Sequence, residues 1–275
     1  MATARTFPAE QKRSRANAAA GRLREYLPAA ALFVLLVLGW EAWVRVFDTK
    51  PYILPAPSRI WTAFLEVRST LPAHIRTTLS EALLGLAVSA VVGVALATAI
   101  AGIPLVRRVL YPILVVSQTI PMVVLAPLLI IWFGFGMTPK VVVVTLVGFF
   151  PIVVSTVDGL TGADREMVGL VRSMGANRLQ VMRHVLIPSA TPAFFAGLKI
   201  AAAYAVVGAI FGEWVGAKSG LGLYITRSKT AFRTDRVFVG IVIVALLSIA
   251  LFLAVQALAR LASPWMYASK PKEQP

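Results

Sequence analysis

The chain has no cysteine and only two histidines, His74 and His184. Disulfide frameworks and thiolate metal sites are therefore excluded. Acidic residues are also scarce, at 12 of 275 positions against 27 lysines and arginines, and charged side chains make up only 14% of the chain. That share is low for a soluble domain of this length. What fills the space is apolar: 58% of residues are hydrophobic and the mean hydropathy is +0.79.

Apolar residues are gathered into long runs. Ala82 to Val106, Val109 to Thr138 and Val237 to Ala259 hold no charged side chain. About 20 helical residues cross a hydrocarbon layer. Lipid leaves backbone polar groups unsatisfied, so a crossing segment is a helix or part of a closed barrel. Continuous rather than alternating hydrophobicity selects helices. The expected class is an all-α membrane protein with about six spans, near 28–47, 80–101, 110–133, 139–157, 190–213 and 237–260.

The net charge of +15 lies beside these spans, where basic residues anchor and orient a membrane protein. No aromatic-basic platform for nucleic acid is present, and no nucleic-acid partner is expected. Residues 1–26 read as a basic, disordered cytoplasmic tail, 27–262 as the transmembrane domain and 263–275 as a second cytoplasmic tail. With the N-terminus inside, fifteen lysines and arginines fall on the cytoplasmic side and ten outside, which favours that orientation. Glu41 and Arg45 are spaced to pair on one helix face.

Two further patterns concern packing and breakage. Gly85, Ser89, Gly93, Ala97 and Ala101 fall four apart, as do Gly197, Ala201, Ala205 and Ala209, so each set lines one helix face where a neighbouring backbone can approach. The third span contains Pro121 and Pro127. A proline frees a carbonyl and bends a helix, which can expose polar groups to a cavity. Ser117, Gln118 and Thr119 sit just before the first break. Gln118 can touch a substrate or bond a neighbouring helix, and Tyr204 can line a cavity or pack. Glu213 ends the fifth span beside Trp214, where an acidic group needs water or a partner and can serve a gate. Gln118, Thr119, Tyr204 and Glu213 are the candidate pathway residues. Trp132 and the Phe149-Phe150 pair are expected to add aromatic faces to the interior.

The connector 158–188 carries a more specific signal. Asp164 can cap a short helix with carboxylates at its positive end, and Met167, Leu170, Val171 and Met174 form one apolar stripe. Gly175 can end that helix in a left-handed conformation. Asn177 can cap a second helix, which Pro188 is expected to break. The result is a helix-turn-helix knob shaped to fit a partner.

Arg172-Ser173-Met174-Gly175-Ala176, with Val185, Ile187 and Pro188 following, resembles the coupling loop of ABC importer permeases. That pattern is Glu-Ala-Ala, three residues, Gly, nine residues, Ile, one residue, Leu-Pro. Here Gly169-Leu170-Val171 stands at the Glu-Ala-Ala position, and the nearest acid, Glu166, lies one turn earlier. Leu54-Pro55-Ala56-Pro57-Ser58-Arg59-Ile60-Trp61, Ala126 to Gly136, Pro139-Lys140, Phe149-Phe150-Pro151-Ile152 and Gly220-Leu221-Gly222 resemble the nitrate/sulfonate/taurine group of that family. Gln118-Thr119-Ile120-Pro121 and Tyr204 to Ala209 are more similar to its thiamine-pyrimidine-precursor and riboflavin branch.

The resemblance implies a multi-pass inner-membrane subunit of an ATP-driven importer. It implies two copies of a separate ATPase that bind ATP and Mg, a second permease subunit, expected to be identical, and a periplasmic or lipid-anchored binding protein. Glu166, Arg172, Gly175, Ala176, Arg178 and Pro188 would couple to the ATPase. The substrate implied is a small nutrient, a heteroaromatic vitamin precursor such as a thiamine pyrimidine ahead of riboflavin, with nitrate, sulfonate or taurine as the alternative. The residues themselves supply no cofactor, metal or catalytic site. The string nearest to a phosphate-binding loop, Gly212 to Ser219, has Ala217 where the second glycine is required. An ion-coupled secondary transporter is the other transport class, but Glu41, Lys199 and Glu213 are the few intramembrane ionisable groups it would have to use.

Overall fold

A computed structural model of the chain describes residues 8–264, with side chains described from Leu27 onward. Among the described residues every regular element is helical. The helices are α1 (Pro8–Val46), α2 (Pro57–Val67), α3 (Leu71–Gly102), α4 (Pro104–Ser117), α5 (Met122–Phe133), α6 (Met137–Thr161), α7 (Arg165–Ser173), α8 (Arg178–Val181), α9 (Ile187–Glu213), α10 (Leu221–Thr230) and α11 (Thr234–Ala262). Five segments are long and apolar enough to cross a membrane: Leu27–Val46, Leu71–Gly102, Met137–Thr161, Arg178–Glu213 and Thr234–Ala262. The pair α4 and α5 makes a sixth candidate, bent by 103° at the break between them.

The third span, near 110–133 by hydropathy, is thus broken at the first of the two prolines Pro121 and Pro127. Pro121 has an extended backbone (φ −65°, ψ 118°) and marks the break. Pro127 lies inside α5 without ending it. Helix α1 reaches back to Pro8, into the stretch read as disordered, whose Ala, Glu, Gln, Lys and Arg residues are good helix formers. Residues 1–7 of that tail, and all but the first two residues of the C-terminal tail, lie outside the described residues.

Helices α3, α6 and α9 form the centre of the molecule. Their close approach explains the two lines of small residues. A Cβ added at Gly85 would lie 2.3 Å from the Val144 Cβ, and one at Gly93 would lie 2.6 Å from a methyl of Ile152. One at Gly197 would lie 2.4 Å from the Pro151 carbonyl oxygen. Both lines thus face α6 and converge on it: a Cβ on Gly148 would lie 2.7 Å from the Ser89 hydroxyl of α3 and 3.6 Å from the Ala201 Cβ of α9. Ala82, Val144, Ile152, Ala201, Ala202, Ala205 and Ala209 fill the seam and are fully buried.

At one end of this core, side chains tie the short helix α2 down. Arg45 pairs with Glu41 at 2.6 Å, as the spacing predicts. Glu41 also accepts the Ser58 backbone N–H at 3.0 Å and the Ser58 hydroxyl at 2.8 Å, which fastens α2 to α1. Arg233, before α11, reaches Glu66 of α2 at 2.9 Å and Asp235 at 3.1 Å.

The 158–188 connector carries the anticipated caps and turn, with one correction. Asp164 Oδ1 accepts the Glu166 N–H at 2.8 Å and caps α7. Gly175 ends that helix with φ +89°, a conformation natural only to glycine. Asn177 and Gln180 exchange hydrogen bonds at 2.8 and 2.9 Å, forming a capping box on α8. Pro188, however, breaks nothing. Residues Met182–Leu186 form a π turn that leads from α8 directly into α9. The Ile187 N–H bonds five residues back to Met182. Pro188 then lies in the first turn of α9, where its missing N–H costs no bond.

Candidate functional site

Three places bring together the singled-out residues. The first is a cavity of about 650 Å³ at the break between α4 and α5, lined by Gln118, Pro121, Phe150, Ser155, Tyr204 and Phe211 among others. It forms because the chain turns by 103° at Pro121 and exposes the faces of α6 and α9 behind it. Gln118 and Tyr204, far apart in sequence, meet here. None of the lining residues carries a charge. Other expected members lie elsewhere. Thr119 is exposed, and its hydroxyl donates to the Val116 carbonyl at 2.8 Å. Phe149 packs in the core, and Trp132 is 66% exposed on the outside of α5.

The second place is the α7–α8 knob. Glu166, Arg172, Gly175 and Arg178 are exposed there, and Ala176 and Pro188 are half-buried. Met167, Leu170, Met174 and Leu179 leave an apolar surface uncovered, with Met174 79% and Leu179 75% exposed. Val181 and Val185 instead turn inward and root the knob in the bundle.

The third place lies at the opposite end of α6 and α9, around Glu213. This residue is fully buried. Its carboxylate accepts the Thr78 hydroxyl at 2.6 Å and the Gly222 N–H at 2.5 Å. Thr78 in turn accepts the Leu221 N–H at 2.8 Å, and His74 Nδ1 accepts the Gly220 N–H at 3.1 Å. The three N–H groups at the start of α10 are thus all taken by side chains of α3 and α9. A helix N-terminus carries partial positive charge, so a carboxylate is well placed there.

This explains the Gly-Leu-Gly sequence. Gly220 has φ +132°, and a Cβ on it would lie 2.2 Å from the Glu213 carboxyl carbon. A Cβ on Gly222 would lie 2.8 Å from the Ile210 carbonyl oxygen. Any larger residue would push α10 off the carboxylate.

Glu81 and Lys140 complete the cluster, and neither is among the site residues that the sequence singles out. Glu81 is 1% exposed and accepts Lys140 Nζ at 2.5 Å. Lys140, in the first turn of α6, is buried despite its charge. One signal pointed to Glu81. His74, Thr78, Glu81, Gly85, Ser89 and Gly93 recur every three or four residues, so the polar group continues the buried small-residue face of α3.

Residues 89–266 match the family described as binding-protein-dependent transport system inner membrane component. The chain is 39% identical over 245 residues to the formylaminopyrimidine transport permease protein ThiX of Halalkalibacterium halodurans, covering 89% of this chain and 98% of that one. It is 36% identical over 234 residues to the riboflavin transport system permease protein RibX of Chloroflexus aurantiacus, covering 84% and 87%. In fold it is similar to an inward-facing conformation of the MetNI methionine ABC transporter, with TM-score 0.63 and 20% identity over 71% of this chain and 97% of that one. The extent of the family match and the full-length relatives leave one conclusion: the chain belongs to the binding-protein-dependent inner-membrane transport components, as a multi-pass ABC importer permease that is not itself an enzyme.

Proposed function

We propose that this permease carries a neutral or weakly charged heteroaromatic nutrient, a formylaminopyrimidine-type thiamine precursor ahead of riboflavin. The observation that carries this reading is the cavity at the α4–α5 break. It offers the aromatic faces of Phe150, Tyr204 and Phe211 and the amide of Gln118, with no charged side chain in its lining. Aromatic side chains suit the face of a flat ring, and amide and hydroxyl groups suit its edge. A compact sulfonate or nitrate would instead call for Arg, Lys or a helix N-terminus. The names of the two curated relatives support the same substrate class.

In this reading the α7–α8 knob faces the cytoplasm and seats in an ATPase subunit, through the exposed Met167, Leu170, Met174 and Leu179. Two ATPase copies bind ATP and Mg. Two identical permease chains assemble side by side, and a periplasmic or lipid-anchored binding protein delivers substrate to the end that carries α10. ATP-driven closure of the ATPases moves the knobs together and exposes the cavity to the outer side. Hydrolysis returns it to the inside.

The test is a binding assay on the cognate binding protein, paired with ATP hydrolysis by the reconstituted transporter. Tight binding of a formylaminopyrimidine, with stimulated hydrolysis that falls in Gln118→Ala and Tyr204→Ala, is the expected outcome. Binding of taurine, an alkanesulfonate or nitrate, with none of pyrimidines or flavins, would overturn the substrate assignment and leave the transporter class standing.

A further inference from the structure

The buried cluster at the α10 end holds two carboxyl groups and one ammonium. Glu81 and Glu213 are at most 1% exposed and Lys140 is 9% exposed. With both acids ionised, a net negative charge would be shut away from water, which is costly. The hydrogen-bond pattern shows where the imbalance lies. Both Glu213 oxygens are occupied as acceptors, one by the Thr78 hydroxyl and the other by the Gly222 N–H. Glu81 Oε1 accepts Lys140. Glu81 Oε2 is buried and has no donor among the described residues. Thr78, one turn before Glu81 on α3, donates to Glu213, and a Cβ on the neighbouring Gly212 would lie 2.9 Å from the Lys140 Cα, so the two carboxyl groups and the ammonium meet at one buried junction. Two ionised carboxylates so placed would repel. One proton between them turns the contact into a hydrogen bond.

We infer that Glu81 Oε2 carries a proton and donates it to Glu213, making the cluster a single-proton site that latches α10 to the core. Each polar atom of the three side chains then has a partner, and the cluster is neutral. Glu213 keeps the negative charge that its three donors and the α10 N-terminus favour. A cavity of about 360 Å³, lined by Glu81, Lys140, Lys218 and Phe135, gives solvent a route to the site.

Loss of the proton as pH rises places two adjacent carboxylates against one ammonium. Repulsion then falls on the bonds that hold the start of α10. The other titratable groups facing the cluster are His74 of α3, Tyr224 of α10, tilted against His74 with ring centroids 5.7 Å apart, and Lys218 of the intervening loop. An alkaline transition belongs to the carboxyl pair, and Glu81→Gln separates it from the two lysines and the tyrosine. The glutamine keeps the shape of the protonated acid and presents an N–H donor at the same point.

The experiment uses the full-length transporter complex in lipid vesicles. Infrared difference spectra of wild type minus Glu81→Gln at neutral pH should contain a protonated-carboxyl carbonyl band, and that band should disappear as pH is raised. In parallel, a spin label at Lys218→Cys, the only thiol of the chain, should gain mobility on alkalinisation in the wild-type background and not with Glu81→Gln. Absence of the carboxyl band from the difference spectrum would overturn the inference. So would equal mobilisation of the label in both backgrounds. Neither readout depends on which substrate is carried.

Discussion

Gly175 offers the sharpest test of the knob, because the structure separates steric from conformational effects there. Its φ is +89°, and a Cβ built on it meets nothing within 4 Å. Any loss on substitution must therefore come from the backbone. A side chain in left-handed conformation costs about 1–2 kcal/mol, and each 1.4 kcal/mol is about tenfold in population. Gly175→Ala should weaken the native turn roughly tenfold. Gly175→Val should weaken it further, because β-branched residues tolerate positive φ least. Gly175→Asn should be mildest, since asparagine visits this region readily. The turn orients Asn177 and its capping box, so a changed turn swings α8 and the exposed Leu179 away from their places. Membrane insertion should be unaffected in all three. Substrate-stimulated ATP hydrolysis and uptake into vesicles should fall together in the order Asn, Ala, Val. Equal activity across the series, with normal stimulation in Gly175→Val, would remove the knob from the coupling mechanism.

The remaining expectations concern packing, topology and pH. Gly197→Ala places a methyl 2.4 Å from the Pro151 oxygen and 3.0 Å from the Ile152 Cα. Both are backbone, so α6 and α9 must separate, at a cost of about 1–3 kcal/mol; a lower thermal transition in detergent would register it, and an unchanged one would refute the seam. Single cysteines at Lys218 and Asn177, both exposed, should react with an impermeant thiol reagent from opposite sides, Lys218→Cys in intact cells and Asn177→Cys only after lysis. The reverse pattern would invert the orientation. The Glu66 carboxyl is held below its ordinary range by Arg233 and then Arg236. Its stabilising contribution is thus fully present above the unfolded pKa and is lost as pH falls through the lowered folded value. Acid should release α2 from the start of α11 in wild type, and Glu66→Gln should be loose at all pH values, as hydrogen exchange in α2 would record.

Membrane character, helical class and approximate span positions were legible because hydrocarbon imposes a one-dimensional rule: a crossing segment must be long, apolar and helical. The caps at Asp164 and Asn177 and the turn at Gly175 were legible for a similar reason, since each depends on residues within three or four positions. The small-residue lines of α3 and α9 announced close packing, but not against what. Only the tertiary structure turned both lines toward α6. It also replaced the expected break at Pro188 with a π turn, because a proline's missing N–H is harmless once the ladder shifts by one residue. The bend at Pro121 could be anticipated, yet its angle decided that Gln118 and Tyr204 share a cavity and that Trp132 does not. The Glu81–Lys140–Glu213 cluster was the least visible. Its members come from three different helices, and hydropathy places each near the end of a span, where charge is ordinary. Their burial follows from how α3, α6 and α9 meet, which depends on contacts between residues 59 to 135 positions apart in the chain.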